Sequence, residues 1–197
     1  MKMVFPSPVR SLVLLTAIGM LAAGLPAADD QPAKDLRVCS VTHVERKSPK
    51  SYAAVTEAIE RQLGRFDSAA LAAALASKAS PSEVEAKIHA MEGSSGLMLF
   101  AVRDHGKLLS LTGQTASARQ YEIGNPLIAL QMTRIDVRAG QYAPLRIYVY
   151  AGDDHLTHID YDLPSSVFGR FHRAGIDKVA KGLDEKLDRL ISSALKD

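Results

Sequence analysis

Apolar residues fall along this chain in three rhythms, and each rhythm predicts a different kind of element. An uninterrupted run from Leu12 to Leu25 carries no charge and follows Lys2 and Arg10. Spacings of three and four recur at Tyr52, Val55, Ile59 and Leu63, and again at Ile176, Val179, Leu183, Leu187, Leu190, Ile191 and Ala194. That period lays one apolar stripe along a helix. The first set therefore predicts a helix opening near Ser51 and closing at Gly64, and the second a long C-terminal helix after Pro164. Alternation governs Leu145 to Ala151, with Leu145, Ile147 and Val149 on one face and Arg146, Tyr148 and Tyr150 on the other, as in a half-buried strand.

Leu156 to Asp162 is the hairpin partner of that strand across Gly152, Asp153 and Asp154. A three-residue loop at Asp153, Asp154 and His155 sets Tyr150 opposite His158, Tyr148 opposite Asp160 and Arg146 opposite Asp162, so that opposite charges meet on one polar face. A two-residue loop would set Tyr148 against Ile159 and mix the faces, so the longer loop is predicted. The Val-rich Leu36 to Glu45 reads as a first strand, with Cys39 a buried, inert thiol among Leu36, Val38 and Val41. Leu97 to Val102, apolar throughout and preceded by Gly96, reads as a central buried strand. Lys107 to Leu111 and Gln120 to Gly124 read as short strands. Ser80 caps a helix with Pro81 in its first turn and Glu83 reaching back, after an Ala- and Leu-rich stretch from Asp67 to Ala76. Asn125 before Pro126 starts a short helix, followed to residue 143 by a charged connection with Arg134, Asp136 and Arg138 that reads as a lid or a solvated loop. Helices, then hairpinned strands, then a final helix give an α+β layer: an antiparallel sheet covered by helices, not a doubly wound one.

With 197 residues, 47% hydrophobic and 23% charged, the chain has the length and apolar content for one domain with a real core. One Cys and no Trp, with 13 Gly and 9 Pro, exclude a disulfide scaffold, a zinc ribbon and a collagen-like chain. The N-terminal run changes the picture more. A positive start, an apolar middle, small residues at Ala27 and Ala28 and an acidic Asp29 are the order of a secretory signal over residues 1–28, with a flexible leader at 29–35 and the domain at 36–197. The 14 apolar positions are short of the roughly 20 that span a bilayer. A periplasmic or secreted protein without a stable membrane span is expected; an uncleaved anchor is the alternative. The whole chain carries 24 Lys and Arg against 22 Asp and Glu, and losing Lys2 and Arg10 with the signal leaves 22 of each. A neutral mature chain has no basic field for nucleic acid.

Several separated motifs, Ser95-Gly96-Leu97-Met98-Leu99-Phe100, Asp104-His105-Gly106, Ile123-Gly124-Asn125-Pro126-Leu127, Ala143-Pro144-Leu145-Arg146 and Tyr161-Asp162, together resemble the DUF302 family of bacterial and archaeal proteins over about residues 36–195. The resemblance implies a compact α+β domain of the TATA-binding-protein-like class, with homodimers, and no settled function or cofactor. Analogy to a DNA-binding fold transfers no activity. Relative to the shortest members, residues 67–93 form a helical insertion.

Three constellations carry candidate chemistry. Asp104 and His105 emerge at a strand end, where His105 is either an acid or base oriented by Asp104, or, with Asp104, a group that hydrogen-bonds the turn backbone. Asn125 heads a helix, where free amides suit an anion but capping alone explains the residue. Tyr148, Tyr150 and His158, with Arg146 and Asp160, form a polar aromatic face suited to a ligand or to a second subunit. His155 and His158, three apart on a strand, point to opposite faces, so no metal site is expected. Gly93-Ser94-Ser95-Gly96 is neither a phosphate loop nor a nucleophile elbow. The leading reading is non-catalytic binding of a small ligand or protein partner in the cell envelope, without cofactor. The alternative is an enzyme that uses His105 with Asp104 and an anion site at Asn125, which requires His105 to reach Asp104 or to share a pocket with Asn125. A purely structural envelope protein is the third.

Overall fold

The structure, a computed structural model, describes residues 34–196; the expected export signal and most of the leader lie outside the described residues. Residues 34–37 belong to a separate N-terminal unit, are without helix or strand, and carry an Asp35–Arg37 ion pair at 2.9 Å. The domain begins with β1 (His43–Ser48), α1 (Tyr52–Glu60) and the two-residue β2 (Gly64–Arg65), followed by α2 (Ser68–Ala76) and α3 (Pro81–His89). It continues through β3 (Met98–Asp104), α4 (His105–Leu109), β4 (Ala118–Gly124) and α5 (Pro126–Thr133). The hairpin β5 (Leu145–Ala151) and β6 (Thr157–Asp162) leads into α6 (Pro164–Phe168) and α7 (Ala174–Leu195). One sheet of six strands runs in the order β1-β6-β5-β4-β3-β2, antiparallel except for the β2–β3 pair. The fold is α+β, with the long C-terminal helix expected from its stripe.

Strand alternation sorts the two faces of the sheet. Tyr121, Ile123, Ile147, Val149 and Ile159 are fully buried on one face, and against them pack α1, through Val55 and Ile59, and α7, through Ile176, Leu183, Leu187, Leu190 and Ile191. Each such Leu or Ile contributes about 1.5–3 kcal/mol on burial. Tyr121 keeps its hydroxyl satisfied by donating to Glu60 Oε1 at 2.9 Å; burial and that carboxylate push its pKa up. At the end of α1 the chain passes against the end of α3 so closely that a Cβ on Gly64 or Gly93 would run into the other's backbone, and both amides donate to the Leu97 carbonyl.

The hairpin register is the one expected: Tyr150 stands opposite His158 and Tyr148 opposite Asp160. The Gly152 amide donates to the Leu156 carbonyl at 2.9 Å and His155 turns left-handed at φ 63°, leaving Asp153, Asp154 and His155 as the loop. Ser80 and Glu83 form the capping box, with Pro81 at the start of α3.

Four expectations are corrected. The first strand starts at His43, not Leu36, because its partner β6 ends at Asp162, where Pro164 turns the chain into α6. Leu163 to Thr42 is the last backbone bond, at 2.8 Å. Cys39 is consequently exposed, not buried. Lys107 to Leu111 is not a strand: the Asp104 carboxylate accepts from the Lys107 amide at 2.8 Å and starts α4, which runs into a short 3-10 turn. β3 lies beside the short edge strand β2, and of its residues only Met98 and Leu99 are buried, so it is not a central buried strand. The connection after α5 is largely solvated, with Arg134, Val137 and Arg138 exposed, and residues Val137–Tyr142 order it as 3-10 turns that bury Ala139.

Candidate functional site

Among the described residues the second face of the sheet carries no helical layer comparable to α1 and α7, and its side chains alternate out of phase with the core. Along β1 these are His43, Glu45 and Lys47; their Cα partners on β6 are Asp162, Asp160 and His158. Tyr148 and Tyr150 follow on β5. Four rings form a row across this face. His105 meets Tyr148 edge-on with centroids 5.7 Å apart, Tyr148 and Tyr150 lie 5.8 Å apart, and Tyr150 stacks on His158 at 4.7 Å.

His158 ends the row inside a closed circuit of charges. Its Nδ1 lies 2.9 Å from Glu45 Oε1 and its Nε2 2.8 Å from Asp154 Oδ1, while Lys47 Nζ reaches the same two carboxylates at 3.1 and 3.4 Å. Ionised carboxylates only accept, so a ring bonded to one at each nitrogen is an imidazolium. Its pKa is raised by Asp154 foremost and by Glu45. In return the His158 ring holds Asp154 down at about 2, and Lys47, with His158, lowers Glu45. Gly152 is what lets the circuit close: a Cβ there would stand 2.5 Å from His158 Nε2 and 2.6 Å from Asp154 Oδ1. His158 is only 5% exposed, whereas Tyr148 and Tyr150 are half-buried. Sequence reasoning named Tyr148, Tyr150 and His158 but missed Glu45, Lys47 and Asp154. The alternation of Val44 and Arg46 with Glu45 and Lys47 was the available signal for the β1 pair.

Asp104 and His105 share no hydrogen bond among the described residues. The Asp104 carboxylate is taken up by the Lys107 amide and by Arg119 Nε at 3.3 Å, and both partners lower its pKa, the amide foremost. His105 has the Tyr148 ring as its neighbour instead. Asn125 sits beyond the opposite end of the β3–β4 pair: Asp104 pairs with Arg119, and Met98 with Gly124, six residues or about 20 Å away. Its Oδ1 caps α5 through the Leu127 amide at 2.8 Å, and its Nδ2 donates to Glu92 Oε1 at 2.6 Å and to the Gly96 carbonyl at 3.0 Å. Around it lies an otherwise apolar cavity of about 240 Å3 that includes Phe66, Phe100, Met132, Pro144 and Phe168 and does not include His105. Phe100 occupies the β-bulge between Leu99 and Ala101 and stacks on Phe66 at 4.3 Å, which no local sequence pattern announced.

Among the described residues no three His, Cys, Asp or Glu side chains form a metal-binding group, and both nitrogens of His158 are engaged by carboxylates. No described helix is long and apolar enough to cross a membrane.

An α+β domain with one face of its sheet under two helices and the other carrying ordered rings and paired charges is the class these features define. The sequence profile described as "Domain of unknown function DUF302" matches residues 73–194, more than half of the chain, and the protein belongs to that family. The match starts within α2, so most of the segment 67–93 falls inside it. Among solved structures, the chain is similar to the crystal structure of an uncharacterized conserved DUF302 protein from Bacillus stearothermophilus, with 14% identity, a TM-score of 0.55, and coverage of 77% of this chain and 97% of that one. That likeness concerns the fold alone. No curated protein matches the chain in sequence.

Proposed function

We propose that the protein is an exported, non-catalytic recognition domain whose open sheet face receives a second copy of the same chain. The row His105, Tyr148, Tyr150 and His158, on a face that no described helix covers as α1 and α7 cover the other, is the observation that carries this reading. Tyrosine-rich surfaces with a polar rim suit an interface better than bare solvent. The rim is of mixed sign, with Lys47, Arg103 and Arg146 beside Glu45, Glu122, Asp160 and Asp162, and a two-fold contact needs a patch that complements itself. Five strands about 4.8 Å apart and about 20 Å long offer roughly 500 Å2 of flat area per copy. That is at the low end for a specific pair, so a reversible dimer of modest affinity is the expectation. Acid or base catalysis at His105 is disfavoured by the commitment of Asp104 to Lys107 and Arg119.

Sedimentation of the protein recovered from the cell envelope, over a concentration series, tests the reading, with N-terminal sequencing of the same sample. A mature start near Asp29 and a mass that doubles with concentration are expected, and Tyr148→Glu should hold the chain monomeric with an unchanged circular dichroism spectrum. A wild-type chain that stays monomeric at high concentration sinks the dimer, and intact residues 1–28 sink cleaved export. A dimer that Tyr148→Glu leaves intact sinks the assignment of the face.

A further inference from the structure

Ile128 and Leu183 line the apolar cavity beside Asn125 and also line a second hollow, of about 470 Å3, between α5 and α7. The two differ in chemistry. The first contains one polar side chain, Asn125, whose oxygen and nitrogen are both spent on Leu127, Glu92 and Gly96. The second carries Arg134, Lys178 and Lys186. No carboxylate lines either hollow. The nearby cations Arg138 and Arg189 have partners in Asp136 and Glu185, whereas Arg134, Lys178 and Lys186 have no ion pair among the described residues. Lys186 Nζ reaches only the Ser95 carbonyl, at 3.4 Å.

We propose that this pair of hollows binds a fatty-acid-like monoanion, its linear alkyl chain in the apolar cavity and its carboxylate among Arg134, Lys178 and Lys186. An apolar cavity with no free hydrogen-bonding group is poor for water and good for alkyl carbon, and about 150 Å3 of such space already admits benzene. The 240 Å3 here holds a chain of roughly eight carbons at about 30 Å3 for each water-sized group. Met132, unbranched and 2% exposed, lets the wall fit chains of different bulk. Three like charges gathered on one hollow repel each other until an anion arrives, which supplies head-group selectivity. The site is separate from the ring row on the sheet, so neither proposal stands on the other.

Titration calorimetry of the whole purified protein at low salt, with hexanoate, octanoate, decanoate and decanol, tests it. Each added methylene should tighten binding roughly fourfold up to about eight carbons and little beyond, and decanol should bind at least about tenfold more weakly than decanoate. Arg134→Glu with Lys178→Glu, both at exposed positions, should remove the preference for the carboxylate at an unchanged melting temperature. Ala129→Phe, checked for folding by circular dichroism, should fill the cavity and remove binding of both ligands. Absence of decanoate binding at millimolar concentration overturns the proposal. So does decanol binding as tightly as decanoate, an affinity that survives the double charge reversal, or a folded Ala129→Phe protein that binds normally.

Discussion

Asn125 was open to two readings, a ligand contact or a cap, and truncating it separates them without any ligand. In Asn125→Ala the α5 amide at Leu127 loses its acceptor, and Glu92 and the Gly96 carbonyl lose their donor. Loss of a cap costs about 1 kcal/mol. The bond to the Glu92 carboxylate is charge-assisted, worth about 1.5–3 kcal/mol, and at 7% exposure water does not readily replace it. Groups in one network do not add, so the total is about 3 kcal/mol, not the full sum. At about 2–4 °C per kcal/mol for a chain of this size, the melting temperature falls by roughly 6–12 °C. Asn125→Asp keeps the capping oxygen but turns a donor into a carboxylate facing Glu92, so at pH 7 it should be at least as unstable as Asn125→Ala. It should recover near pH 4, where one of the two acids takes a proton. Urea unfolding of ligand-free protein, followed by circular dichroism at both pH values, measures this. An Asn125→Ala protein within about 0.5 kcal/mol of wild type would mean that the residue is kept for something it holds and not for what it builds.

Three further outcomes follow from the sheet. A raised His158 stabilises the fold fully below the ordinary histidine pKa of about 6.5 and loses that contribution as pH climbs through the raised value, while Asp154 contributes above about 4 and loses it as pH falls toward about 2. Melting temperature should therefore peak between about pH 4 and 6.5, and His158→Phe should flatten the decline on the alkaline side; an unchanged alkaline slope refutes the circuit. Gly152→Ala should break the Asp154–His158 bond, and a His158 NMR titration shifted below the wild-type value toward the ordinary histidine pKa is its signature, with Glu45 still raising it. Tyr121→Phe should cost about 1 kcal/mol in chemical denaturation by stranding Glu60, and a neutral result would mean that Arg119, 3.6 Å away, satisfies that carboxylate alone.

What could be read from the sequence was local. The β5–β6 register followed from two facts within eighteen residues: alternation puts Tyr148 and Tyr150 on one face, and only a three-residue loop opposes them to Asp160 and His158. The box at Ser80 and Glu83 is equally short-range. Leu36 to Val41 misled because an apolar run says that a strand is affordable, not that a partner reaches it, and β6 stops too soon. Lys107 to Leu111 misled because one capping contact from Asp104 outweighed weak strand preference. The charge circuit joins residues 45 and 47 to 154 and 158, and the cavity joins residues 66 and 100 to 144 and 168. Both depend on chain segments brought together from far apart, which no spacing within one segment encodes.

The circuit also explains how tyrosines can stay on an open face without making the protein sticky. Four rings alone would be an apolar stripe, and such stripes associate with whatever hydrophobic surface arrives. Here His158 is drawn down between two carboxylates and covered, so Tyr150 stacks on a charged ring fixed by its own sheet instead of on a partner. Glu45, Lys47 and Asp154 satisfy one another and keep water at the rim. Beside Tyr148, Asp160 Oδ1 is a buried oxygen without a hydrogen bond among the described residues. An unpaired buried acceptor is costly, and the neighbouring charges hold it in place all the same. Losing the His158 proton as pH rises takes the positive charge from both carboxylate bonds, so the circuit that fixes the ring under Tyr150 weakens on the alkaline side.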